Sequence, residues 1–253
     1  MQPARWEARP ALVSVPAPGP LAIGRLPGIE EAVVAYTALT AGIGVYAFPH
    51  QVLSASAPQG RFGLADDGGN FIDIMRDIAN NLQSMTTRKR IVATLRRVNP
   101  TVASVELDSL QNPTTAIIAH QLRDSILTLK LSQESEGFRR FYAHLLALHQ
   151  SPPKQTLVFE EPENGIYPGA LSLLADEFKA APEANRGQVI LTTHSPTLLD
   201  HFSAEQIRVV ELSDLETRIG PLEEGQRQSL AEELLHAGEL LTVDLARRQE
   251  QPT

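Results

Sequence analysis

Cysteine is absent from the 253 residues, which excludes disulfides, thiolate metal sites and cysteine nucleophiles and fits a reducing compartment. No run of about 18 consecutive apolar residues occurs, which argues against a spanning helix. The first 20 residues carry two Arg and the Pro-rich stretch RPALVSVPAPGP in place of a long apolar segment, so no secretory leader is read there. These absences lead to the expectation of a cytoplasmic protein with no membrane contact. Positive charge is also scarce. The 22 Lys and Arg stand against 30 Asp and Glu, a net charge of −8, so broad phosphate-driven binding of nucleic acid is not indicated. The local exception is TTRKRIVATLRR, residues 86–97, which packs five cations into one expected helix. Its first reading is a solvated face.

What is present suffices for one sizeable core, with 42% of residues hydrophobic. Residues 1–28 are rich in Pro and Gly and read as irregular. PGIEEAVVAYTALTAG, 27–42, predicts a short helix closed by Gly42. A turn over Asp66–Asn70 leads into a helix whose apolar positions Phe71, Ile74, Ile78, Leu82 and Met85 step by three or four. A second helix places Ile91, Leu95 and Val98 on one face and stops at Asn99–Pro100. Residues 101–107, 114–119 and 125–131 read as short strands. From Ser135, a plausible cap, a helix carries Phe138, Phe141, Leu145 and Leu148 on one face. TLVFE, then a helix with Pro168 in its first turn, then QVILTTH form strand, helix, strand, and QIRVVEL, 206–212, reads as a third strand. Strands apolar throughout indicate a parallel sheet covered on both faces. The divisions expected are an irregular segment 1–28, a helical and short-strand lobe 29–131, a core 132–224, and a C-terminal helix and tail 225–253, with the helix over SLAEELLHAGELL.

Parallel sheets bind ligands at the carboxyl ends of their strands. Here those ends carry Glu160 and Glu161 on one strand and Thr192, Thr193 and His194 on the next. The Ser135–Glu136–Gly137 turn opens a helix, whose free N–H groups and positive dipole end suit phosphate. Gly137 would let the backbone approach a bound oxygen. An acid for Mg²⁺, a second carboxylate for an attacking water, a His donor and helix-end N–H groups together suggest phosphoryl chemistry.

TLVFEEPENGIYP, with His194 of VILTTHSPTLLD standing 34 residues beyond Glu160, resembles the second half of an ABC-type ATPase head of the RecF/SMC/OLD-like group, often labelled AAA-type. LSQESEGFRRFYAHLLAL resembles that group's signature and its helix, and LADDGGNFIDIM and VNPTVASVEL resemble segments that precede it. The resemblance spans roughly residues 45–245. It implies a P-loop NTPase core, α/β with a parallel sheet flanked by helices, N-terminally incomplete and carrying an inserted α/β lobe. It implies ATP and Mg²⁺ as cofactors, with Glu160 as the Walker B acid that supports the metal and Glu161 as the catalytic carboxylate. It gives His194 the switch role at the γ-phosphate. Asn164, with Glu163 and Gly165, would face the opposite protomer, and Ser135 and Gly137 would reach a nucleotide held by a partner. Expected partners are a second ATPase subunit, identical or different, and a nuclease or effector.

The family's phosphate loop, G-x-x-x-x-G-K-[ST], is not found: none of Lys89, Lys130, Lys154 or Lys179 follows a Gly. The nearest imitation is GPLAIGRL, with Gly19, Gly24 and Arg25, and the glutamine loop cannot be placed. Two functions are therefore carried. One is an ATP-hydrolysing domain that acts as a dimer with Mg-ATP between protomers. The alternative is a non-catalytic assembly or regulatory subunit that keeps the ATPase surface and binds no ATP alone. Other readings are weaker. Glu160 and Glu161 as an ordinary solvated pair leave the spacing to His194 unused. Neighbours on a strand point to opposite faces, which disfavours a glycosidase pair. His194–Ser195 lacks a nucleophile elbow. His144 and His149 have the wrong spacing for a shared metal and read as surface or packing residues, and His50, His120, His201 and His236 show no constellation.

Overall fold

A computed structural model describes residues 42–55, 63–80, 84–110, 113–213 and 215–249. The Pro-rich segment 1–28, residues 27–41 of the helix expected over 27–42, and Leu82 lie outside the described residues.

Three strands form the central parallel sheet, β1 (Ile43–Tyr46), β5 (Thr156–Glu160) and β6 (Gln188–Thr192), in the order β1-β5-β6. Register runs from Ile43 opposite Thr156 to Tyr46 opposite Phe159, and from Thr156 opposite Gln188 to Glu160 opposite Thr192. Helix α3 (Glu136–His149) and helix α4 (Pro168–Glu183) are buried with this sheet in one core. Phe159 of β5 is the centre of that contact. Its ring lies 5.4 Å from Tyr46, 5.3 Å from His144 of α3 and 4.9 Å from Phe178 of α4. Each such fully buried side chain contributes about 1.5–3 kcal/mol of transfer free energy. The Tyr46 hydroxyl is not left unpaired, because Gln150 Nε2 donates to it at 2.8 Å.

The strand–helix–strand order of β5, α4 and β6 agrees with the periodicity, and Pro168 opens α4. The sheet is flanked by helices as expected, though part of one face stays open among the described residues. Side chains alternate across a strand, and the second face presents Ile43, Val45 and Ile190, each more than 40% exposed. Among the described residues no element closes it. Nor does the third strand join this sheet. β7 (Arg208–Ser213) pairs antiparallel with β8 (Glu216–Pro221) in a separate hairpin. A partner two residues away along the chain costs little loop entropy, and that local pairing wins over a parallel crossover.

The preceding lobe combines helix α1 (Phe71–Asn80), helix α2 (Ser84–Val98) and an antiparallel sheet of β2 (Val102–Asp108), β3 (Thr115–Gln121) and β4 (Ile126–Lys130). Phe71, Ile74 and Ile78 are buried on α1 as their spacing requires, but Met85 is 62% exposed. Met85 belongs to α2 and not to the described span of α1, which ends at Asn80. On α2, Ile91 and Leu95 are buried and Val98 packs beside them. The basic residues of α2 are mostly engaged within the chain. Arg88 donates to the Val105 carbonyl, Arg90 lies 3.8 Å from Glu177, Arg96 donates to the carbonyls of Val102 and Ala103, and Arg97 lies 3.7 Å from Asp176. Arg88, Arg90 and Arg97 keep 47%, 44% and 56% of their side chains exposed, so the helix presents the solvated face expected.

After a short helix α5 (Pro196–Leu199) and the hairpin, helix α6 spans Glu224–Ala231. It begins earlier than SLAEELLHAGELL suggested and ends where Glu233 takes φ +57°, leaving only a 3₁₀ turn over Ala237–Leu241. The C-terminal segment packs in its own small cluster with Ile207, Val209, Leu222 and Leu240.

Candidate functional site

The carboxyl ends of β5 and β6 lie side by side, with Glu160 opposite Thr192 in register. Glu160 is exposed at that end. The chain then turns sharply, and Glu161 takes φ +42°, a left-handed backbone that is costly for a side chain with a Cβ. The turn is held in three ways. The Glu161 N–H donates to the Thr192 carbonyl at 3.1 Å, the Asn164 N–H to the Glu161 carbonyl at 3.0 Å, and the Ile166 N–H to the Glu163 carbonyl at 3.0 Å.

This conformation sets the side chains. Asn164 Nδ2 donates to Glu161 Oε2 at 2.7 Å. The other oxygen, Oε1, lies 3.7 Å from His194 Nε2. Glu163 reaches across to the loop after β6, where its Oε1 accepts from Thr193 Oγ1 at 2.7 Å and from the His194 N–H at 2.9 Å. Glu160, Glu161, Asn164 and His194 are thus brought to one strand end. Ser195 has a local task, accepting the Leu198 N–H to cap α5.

Ser135 and Gly137 occupy a second part. Ser135 caps α3, its Oγ accepting the Phe138 N–H at 3.3 Å. Gly137 has no room for a side chain, because a Cβ there would stand 2.7 Å from the Gly165 carbonyl oxygen. Its close approach is therefore to the turn that follows Asn164. A concavity of about 620 Å³ opens here, lined by Asn99, Glu134, Ser135, Gly137, Gly165 and Tyr167 among others. Glu161 and His194 do not line it.

Two histidines that showed no constellation in the sequence grip the carboxylates on either side of Ser135. His120 of β3, buried, places Nε2 2.6 Å from Glu134 Oε1 and Nδ1 2.8 Å from Thr101 Oγ1. His50, after β1, pairs with Glu136, which also accepts from Arg140 Nε at 2.8 Å. The His50 contact and the Arg140 bond hold the Glu136 carboxyl below the usual carboxylate range. No sequence spacing could have revealed either pair, since each joins separate elements. His144 and His149 are both buried. His144 sits among Phe48, Phe159 and Phe178, where burial pushes its pKa down to about 4. His149 faces Glu177 at 3.6 Å and Arg186 at 2.9 Å.

Among the described residues no three of His, Asp and Glu converge as a ready-made metal cage. Glu160 remains as an exposed strand-end carboxylate. That suits Mg²⁺, which keeps most of its waters and takes one or two carboxylates beside substrate phosphates. The Gly19–Arg25 stretch lies outside the described residues. No described helix is long and apolar enough to cross a membrane.

Residues 41–200 match the family model described as "AAA domain, putative AbiEii toxin, Type IV TA system". No curated protein matches the chain. Similar solved structures include an SMC ATPase studied for ATP-driven dimerization and DNA-stimulated activation, at 16% identity and TM-score 0.44, covering 64% of this chain and 96% of that one. A second is the Smc head domain of Pyrococcus furiosus bound to the C-terminal domain of ScpA, at 12% identity and TM-score 0.44, with 65% and 42% covered. A third is the SMC head domain of Thermotoga maritima, at 16% identity and TM-score 0.39, with 60% and 51% covered. The match thus spans about half or less of the latter two chains.

Proposed function

The chain belongs to this AAA-domain family of ATPases with a P-loop NTPase core, and from that premise we propose that it hydrolyses ATP with Mg²⁺ as one half of a dimer, with nucleotide held between protomers. The observation that carries this reading is the pair at the strand ends: Glu161 Oε1 and His194 Nε2, 3.7 Å apart, beside an exposed second carboxylate, Glu160.

Each residue then has a task set by its chemistry. Glu161 has one oxygen occupied by Asn164 and the other open, so it orients the attacking water and accepts its proton as oxygen attacks the terminal phosphorus and the β–γ bridge breaks. His194 donates to the terminal phosphate oxygens, where negative charge collects. Asn164 fixes the base. Glu160 would hold Mg²⁺, which supplies charge neutralisation at the phosphates. The helix N-terminus at Ser135–Gly137, the head of a 14-residue helix, faces the nucleotide of the other protomer. A further nuclease or effector subunit fits such a motor as the recipient of its conformational change.

One observation favours a second reading. The 253 residues contain no G-x-x-x-x-G-K-[ST] loop, so the alternative is an assembly or regulatory subunit that keeps this surface and binds no nucleotide by itself. Calorimetry of Mg-ATP with the purified chain separates them. Hydrolysis predicts binding that weakens in His194→Ala. Heat absent at millimolar nucleotide would leave the non-catalytic reading.

A further inference from the structure

His194 is poorly placed to aim itself. Its side chain is 84% exposed, so packing selects none of its rotamers. An exposed side chain points only as reliably as its backbone is held, and Thr193–Ser195 lie between β6 and α5, outside any strand ladder. Their polar groups are gathered by one carboxylate oxygen. The Ser195 N–H donates to Thr193 Oγ1 at 3.0 Å, Thr193 Oγ1 donates to Glu163 Oε1 at 2.7 Å, and the His194 N–H donates to the same oxygen at 2.9 Å.

The same short turn holds the other partner. Asn164 fixes Glu161 Oε2, and its neighbour Glu163 fixes the backbone of His194. We infer that Glu163 is the positioning residue that sets the Glu161–His194 separation, acting on the reaction only through the backbone of residues 193–195. It rests on the reading of Glu161 and His194 as the hydrolytic pair.

The bonding pattern says what Glu163 must supply. Both donors converge on Oε1, while Oε2 is buried without a hydrogen-bond partner in the structure. An acceptor at Oε1 is therefore what the loop uses, and a second oxygen contributes desolvation cost with no bond to offset it. Glutamine keeps an acceptor at Oε1 with two lone pairs and the same side-chain length. Alanine removes it.

The experiment compares Glu163→Ala and Glu163→Gln with wild type by two readouts, the amide resonances of Thr193, His194 and Ser195 in the nucleotide-free chain, and steady-state Mg-ATP turnover. Thermal denaturation checks that both variants fold. Glu163→Ala is expected to shift the His194 amide away from its carboxylate-bonded position and to lower kcat about 100-fold with KM unchanged, the size of effect that a displacement of about 1 Å produces. Glu163→Gln restores both. Turnover unaltered in Glu163→Ala, an unmoved His194 amide, or a kcat loss that glutamine leaves unrepaired would each overturn the assignment. A wild-type chain without turnover would sink the hydrolase reading instead, and the amide resonances would still judge Glu163.

Discussion

His120 Nε2 stands 2.6 Å from Glu134 Oε1, with both side chains more than nine-tenths buried. The pair ties the central strand of the lobe sheet to the residue before Ser135. On the other side of Ser135, Glu136 is held by Arg140 and by His50, whose own side chain is 75% exposed. The two pairs differ in their surroundings, and their energies differ accordingly.

Removing one member of the buried pair leaves the other without its hydrogen-bond partner away from water, at a cost of about 1–3 kcal/mol. His120→Ala and Glu134→Ala should each lower the urea midpoint strongly. His50→Ala breaks an exposed contact and should cost under about 1 kcal/mol. Equilibrium urea unfolding of the three variants checks the contrast, and equal losses would mean that burial is not what distinguishes them.

Gly137→Ala tests the contact between the helix start and the turn. Glycine removal in itself stabilises by about 0.4–1 kcal/mol through the unfolded chain. The new Cβ would meet the Gly165 carbonyl oxygen at 2.7 Å, and that atom is backbone and cannot rotate aside. Overpacking of this kind costs about 1–3 kcal/mol, so the net change is destabilising by about 1 kcal/mol. Thermal denaturation should show a fall of roughly 2–4 °C.

Acid sensitivity follows from His144. Burial among three phenylalanine rings holds its pKa down at about 4, while in the unfolded chain it titrates near 6.5. The unfolded state therefore binds the proton more readily. Stability from this group is complete above pH 6.5 and is lost as pH falls to 4, by up to about 3 kcal/mol. His149, also pushed down by burial, adds in the same direction. Glu177 acts lower on the scale. Burial raises it, but the nearby His149, the hydrogen bond from Thr94 and the nearby Arg90 win and hold it at about 2, so its contribution is present above the ordinary carboxylate value and fades below it. Urea midpoints at pH 7.5 and 4.5 should separate widely in wild type and less in His144→Leu. An equal separation in both would assign the acid sensitivity elsewhere.

Local chemistry made much of this legible. Ser135 as a cap, the buried face of α3, and the strand–helix–strand order around Glu160 follow from spacing and capping alone. The meeting of Glu161 with His194 at one sheet edge follows from parallel pairing. What could not be read depends on distance along the chain. IGVY at 43–46 is four residues long with a Gly inside it, too short to carry a strand pattern, and it becomes β1 only because β5 lies beside it. His50 and His120 gain meaning from carboxylates 86 and 14 residues away. Glu163 was visible as a charge, and its two bonds to Thr193 and His194 were not.

The central claim is that Glu161 is the base of an ATP-hydrolysing site, and the direct test is phosphate release from Mg-ATP by the purified chain and by Glu161→Gln. The account predicts turnover in wild type and a loss of about 10²–10⁴-fold in the variant, with nucleotide-dependent dimerisation retained. Turnover that survives the substitution unchanged would contradict it.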